Sequence, residues 1–170
     1  MKKQTILVVD DEKMILNAIK RVLRNENYNI LTAESGDKGL LLLKDYDVQL
    51  VVSDYNMPGM NGLEFLQNVK RDHHQILTIM LTGQMEIEIA MKAINKAGVY
   101  KFILKPWEDT DLIITIRRAL ESLELILERE LLLQQIKTQD VILQDLEKEH
   151  PGITKVERDE NGYIIVDYED

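Results

Sequence analysis

The sequence predicts an α/β domain built on a doubly wound parallel sheet, followed by a long helix and a short tail. Through the first 120 residues, short apolar runs alternate with amphipathic stretches of helical length. The runs are nearly continuous in Ile, Leu and Val, as strands buried on both faces of a parallel sheet require. Beyond Trp107 the alternation stops, and a stretch without Gly or Pro takes over.

The candidate strands are residues 5–9, 28–33, 48–53, 76–81 and 99–104. Between the first two, Met14, Ile15, Ala18, Ile19, Val22 and Leu23 recur at helical spacing. Ser35 stands where the second helix needs an N-cap, and Asn61 with Glu64 three residues on resembles a capping pair for the third. Gly98 sits where a fourth helix should end. Five strands alternating with five helices imply right-handed crossovers and three layers. In such a fold ligands bind outside the carboxyl ends of the strands.

From 109 to about 148 the chain is dense in Leu, Ile, Glu and Gln. As one helix it would be roughly 60 Å long, more than is needed to cover a small sheet. Ile113, Ile116, Leu120, Leu123 and Leu127 form a heptad-like seam expected to pack on the domain. A second seam, Leu132, Ile136, Gln139, Leu143 and Leu146, follows after a five-residue step that shifts the register. That second seam needs a partner, and Gln139 would be a register-setting polar position within it. His150-Pro151-Gly152 stops the helix, and Asn161-Gly162 between β-rich runs predicts a terminal hairpin. The expected organisation is a domain over 1–121, a helical extension over 122–149 with coiled-coil character, and a tail over 150–170.

Of the 170 residues, 45% are hydrophobic and 30% charged, an ordinary globular mixture. The absence of cysteine excludes disulfides and thiolate metal sites. No membrane-length apolar run and no signal-peptide pattern occur, so a cytoplasmic location is expected. A net charge of −9 without a basic patch speaks against direct nucleic-acid binding.

The predicted strand ends hold Asp10 and Asp11, Asp54, Thr82 and Lys105. A sheet ordered 2-1-3-4-5 would bring them to one edge. Three crowded carboxylates repel unless a cation relieves them. An all-oxygen site of this kind suits Mg²⁺, and a lysine and a hydroxyl opposite could hold phosphoryl oxygens. The set suits phosphoryl transfer to a carboxylate. Each residue has a plainer reading alone: an Asp-Asp pair can cap a helix, and Asp54 can serve a turn. Their joint occurrence in order argues for a site. His73-His74, lacking ligand-spaced partners, read as a solvated helix end.

Residues 4 to about 121 resemble the receiver domain of bacterial two-component response regulators, in the flavodoxin-like fold. The matching features are Asp10-Asp11, the Asp54-Tyr55-Asn56-Met57-Pro58-Gly59-Met60-Asn61-Gly62 segment, Thr82-Gly83 and Lys105-Pro106. The resemblance implies Asp54 as the phosphoacceptor for a sensor histidine kinase or phosphotransfer protein. It implies Mg²⁺ ligation by Asp11, Asp54 and the backbone carbonyl of Asn56, with Asp10 acting mostly through water. Lys105 would contact the phosphoryl group, and Asp54 before that group arrives; the Lys105-Pro106 bond would be cis. Thr82 and Phe102 would form the conformational switch, and Asn56 and Gln84 would tune the lifetime of the acyl phosphate.

The implied function is a regulatory phosphoprotein signalling through its helix, with a homodimer expected through that helix and no enzymatic output. A constitutive dimeric adaptor is one alternative; a receiver portion of a larger regulator is another. A phosphatase of the aspartyl-phosphate type would need a second Asp two residues after Asp54, where Asn56 stands.

Overall fold

A computed structural model of the chain describes residues 3–83 and 98–152. The chain divides into two compact units, Met1–Glu124 and Leu125–Asp170. In the first, five parallel strands form one sheet: β1 (Gln4–Val9), β2 (Tyr28–Ala33), β3 (Leu50–Asp54), β4 (Leu77–Thr82) and β5 (Lys101–Leu104). Their order is β2-β1-β3-β4-β5, as the sequence predicts. The register is continuous: Val9 lies opposite both Ala33 and Ser53, and Asp54 lies opposite Leu81.

Side chains alternate across this sheet, so each strand feeds two cores. Ile6, Val8, Leu50, Val52, Ile79 and Leu81 face one way. They pack with Leu16 and Ile19 of helix α1 (Lys13–Val22) and with Leu112, Ile116 and Leu120 of the C-terminal helix (Asp109–Glu149). Leu7, Val9, Val51 and Met80 face the other way, against Leu43 of α2 (Gly36–Asp45) and Phe65, Leu66 and Val69 of α3 (Gly62–Asp72). Burying each such side chain contributes about 1.5–3 kcal/mol, which is what holds the three layers together.

The caps fall where the sequence puts them. The Ser35 hydroxyl accepts from the Lys38 N–H at 3.3 Å, and the Asn61 side chain accepts from the Glu64 N–H at 2.9 Å. Gly98 has φ +60, the conformation of a helix-ending glycine; the fourth helix expected before it falls on residues 84–97, outside the described residues. So does the expected hairpin over 153–170.

Three expectations shift. The third and fourth strands start later than expected, at Leu50 and Leu77, and end one residue further on, so that Asp54 and Thr82 are final strand residues and not the residues after them. The fifth strand starts at Lys101, two residues late: Val99 is buried but sits beside the turn made by Gly98. The buried stripe of the C-terminal helix is Leu112, Thr115, Ile116, Ala119, Leu120 and Leu123. Ile113 is only partly buried, and Leu127 is exposed. A straight α-helix drifts against a strict heptad, so an apolar stripe that follows the sheet takes i, i+3, i+4 positions around 112–123. From Leu125 on, the large apolar side chains of this helix are exposed. Among the described residues no helix is long and apolar enough to cross a membrane.

Candidate phosphoacceptor site

The carboxyl edge of the sheet collects the chemistry-bearing residues. Ladder hydrogen bonds continue past the strand ends and position them: the Asp10 N–H donates to the Ala33 carbonyl, and the Lys105 N–H to that of Thr82 at 2.8 Å. Asp10 is fully buried and Asp54 nearly so, while Asp11 is exposed. Even so, one carboxylate oxygen from each of Asp10, Asp11 and Asp54 lies within 4.8 Å of the other two.

Lys105 ties the cluster together. Its Nζ stands 2.7 Å from Asp54 Oδ1 and 2.9 Å from Asp10 Oδ2. The other Asp10 oxygen accepts from the backbone N–H of Glu12 at 2.8 Å. Glu12 occupies the N-cap position of α1 without a side-chain cap bond, and Asp10 spans the helix start and Lys105 with its two oxygens. The Asp54 carboxylate also takes a hydrogen bond from the backbone N–H of Asn56. The direct Asp10–Lys105 contact has no counterpart in the sequence reading, because contacts across 95 positions leave no periodic signal.

Burial pushes the Asp54 carboxyl above its ordinary value, Asp10 beside it adds to the rise, and the bond to Lys105 offsets only part. For Lys105, burial works to lower its value, yet the bonds to Asp54 and Asp10 carry it above that of an ordinary lysine. One ammonium among three carboxylates leaves the cluster short of positive charge. The donor set is entirely oxygen, with room among close carboxylates, and these residues fit a hard divalent cation such as Mg²⁺.

Thr82 is buried at the end of β4, with its hydroxyl donating to the Gly83 carbonyl at 3.3 Å. Phe102, opposite Met80 in the ladder, is partly buried against the core beneath α2 and α3. Gln84 lies outside the described residues. Trp107 packs against the core shared with the C-terminal helix, and the Lys105–Pro106 peptide is cis. His73 caps the end of α3, partly buried, and His74 is exposed.

The loop from Asp54 to α3 holds two positions that sequence reasoning touches only as motif letters. Gly59 adopts φ +79, a conformation that favours glycine. At Gly62 a Cβ would come within 1.9 Å of the Asp54 carbonyl oxygen, so only glycine lets α3 start against the backbone of Asp54. The Gly62 N–H donates to the Tyr55 carbonyl at 2.8 Å, closing the loop. Ser53, fully buried, donates from its hydroxyl to the same Asp54 carbonyl at 2.9 Å.

A family model described as the response regulator receiver domain matches residues 6–117. Over 121 residues the chain is 39% identical to the hydrogenase transcriptional regulatory protein HoxA of Cupriavidus necator, covering 71% of this chain and 25% of that protein. It is 38% identical over 122 residues to the nitrogen assimilation regulatory protein NtrX of Azorhizobium caulinodans, covering 71% and 27%. A solved response regulator receiver domain protein from Clostridium thermocellum matches with a TM-score of 0.68 at 30% identity, covering 72% of this chain and 98% of that one. The chain spans about a quarter of the length of these two curated relatives.

Proposed function

The chain belongs to the response regulator receiver domain family, and on that premise we propose that Asp54 accepts a phosphoryl group from a phosphohistidine on a partner kinase or phosphotransfer protein. One observation carries the reading: a nearly buried carboxylate at the sheet edge, held 2.7 Å from a lysine inside a three-carboxylate cluster.

In the transfer, an Asp54 carboxylate oxygen attacks phosphorus while the P–N bond to the donor imidazole breaks. The electron pair of that bond stays on the imidazole nitrogen, and an acyl phosphate forms on Asp54. Lys105 shifts from the carboxylate to a phosphoryl oxygen, which spares the new group a desolvation penalty. Asp11, Asp54 and the Asn56 carbonyl would hold Mg²⁺, with Asp10 acting through water, and the cation would neutralise charge gathering on the phosphoryl oxygens. Thr82 then turns its hydroxyl toward the phosphoryl group, and Phe102 follows inward behind it. Asn56 and Gln84 set how readily water reaches the acyl phosphate. The chemistry is confined to the chain's own Asp54, with Asn56 in place of a general acid, so the protein acts as a regulator and not as an enzyme on external substrates. Its output runs through self-association by the C-terminal helix or through a partner protein.

The low coverage of the curated relatives favours one further reading, in which a receiver of this kind governs the output region of a larger regulator. Either way the acceptor is testable. Incubation with a small phosphodonor and Mg²⁺ should add one phosphoryl group by intact mass, and Asp54→Asn should add none. Equal labelling of the variant would remove Asp54 from the role.

A further inference from the structure

We infer that residues 125–146 pair with the same residues of a second copy of this chain, as a parallel, in-register, two-stranded coiled coil. The inference rests on the reading of the C-terminal helix as a self-association element and deepens it, naming the seam, its direction and its register.

Leu125, Leu132, Ile136, Leu143 and Leu146 fall on one heptad seam, with Arg129 and Gln139 in its two remaining places. No other heptad seam through 125–146 carries as many apolar residues. Leu125, Leu132, Gln139 and Leu146 hold the d positions, and Arg129, Ile136 and Leu143 the a positions. Leucine at d with a β-branched residue at a, as at Ile136, favours two strands. Apart from Arg129 the charges keep off the seam: Glu130, Lys137 and Asp145 lie on its outer side, Glu128 and Asp140 on its rim.

Area fits two chains. The five apolar seam residues are 38 to 67% exposed, and Ile126, Leu133 and Ile142 on the rim are 43 to 53% exposed. Together they offer on the order of 800 Å² per chain, which is about what one side of a standard stable interface buries.

The two polar places set the direction. In a parallel, in-register pair Gln139 faces Gln139, whose amides can bond each other, and every apolar seam residue faces its own kind. Sliding one copy by a heptad would set each Gln139 against a leucine, Leu132 or Leu146, and leave a buried amide unpaired. Of the antiparallel pairings with the greatest overlap, two set Gln139 against Ile136 or Leu143, at the same cost. The third sets Gln139 against Arg129 but leaves Leu146 opposite Ser122. The parallel pair also places Arg129 of each copy beside Glu128 of the other. There the arginine stem lies along the seam while its head reaches the carboxylate at the rim, which relieves the facing of Arg129 with Arg129.

The chain has no cysteine, so single introduced cysteines report on the pairing. Light scattering of the full chain, over a wide concentration range, should reach a plateau at twice the 19.8 kDa chain mass. Leu125→Cys and Leu143→Cys, each alone under mild oxidation, should form a cross-linked dimer; Lys137→Cys, on the outer side, should not. In the antiparallel pair that joins Arg129 to Gln139, Leu125 meets Leu143 instead. Like positions then stand roughly 27 Å apart along the helix, beyond the ~7 Å Cα separation that a disulfide can span. Cross-linking only when the two variants are mixed would therefore overturn the inference in favour of that pair. A dimeric mass in which neither variant cross-links alone overturns the seam and leaves self-association standing; a mass of one chain at every concentration removes both. A mass above two chains, or equal cross-linking of Lys137→Cys, overturns it as well. Labelling of Asp54 in the same samples reports separately on the phosphoacceptor reading and shows that the variants remain folded.

Discussion

Asp54 sits in a site that disfavours its own charge. Because burial raises its value above that of an ordinary carboxyl, the folded state holds this proton more tightly than the unfolded chain does. The stability that follows is fully present below the ordinary carboxylate range and is lost as pH rises through the raised value. At neutral pH without divalent cation, ionised Asp54 therefore works against the fold. Asp54→Asn should raise Tm there by a few degrees, since about 1 kcal/mol moves Tm by about 4 °C in a domain of this size. The gain should vanish in acid, and Mg²⁺ should raise the Tm of the wild type but not of the variant. A lower Tm for Asp54→Asn at neutral pH would show that the Lys105 contact outweighs burial. Gly62 makes the opposite case. A methyl group 1.9 Å from the Asp54 carbonyl cannot be accommodated without moving backbone, so Gly62→Ala should lose more than about 2 kcal/mol in urea unfolding and slow phosphoryl labelling. Unchanged values would mean that the loop tolerates displacement.

Among the elements, the C-terminal helix serves two environments. Its first turns are amphipathic and fill one core, where Ile116 is fully buried. Ile116→Ala should cost about 2–5 kcal/mol by denaturant unfolding; a loss below 1 kcal/mol would show that the helix is not integral to the domain. Arg117, on the same helix, binds Glu26 in the loop before β2 at 3.1 Å, but the pair is partly exposed and adds little. The sequence located this helix to within a residue at its far end, because a run without Gly or Pro closed by Pro-Gly leaves few alternatives. It misplaced the buried stripe by a residue, assigning Ile113 and Leu127 to the interface where Leu112 and Thr115 serve. Heptad counting cannot see that a single helix packing on a twisted sheet keeps its own 3.6 period.

At the scale of the whole molecule, the sheet order and the meeting of Asp10, Asp11, Asp54 and Lys105 at one sheet edge could both be read from the chain. Strand runs of Ile, Leu and Val announce a buried parallel sheet, and the polar residues at their ends gather along one edge of it. What could not be read were contacts that depend on three-dimensional closure. The Lys105 contact to Asp10 and the clearance at Gly62 involve pairs with no shared periodicity. The molecule places Asp54 in a cluster whose other carboxylates, Asp10 and Asp11, stand within 4.8 Å, so labelling alone does not say which of them would carry a phosphoryl group. Direct mapping does. The wild-type chain, phosphorylated by a small donor in Mg²⁺, would be reduced with borohydride and digested, and its peptides sequenced by mass spectrometry. Modification confined to position 54 is the predicted outcome. Modification at Asp10, Asp11 or the His73-His74 pair, with position 54 intact, would contradict it.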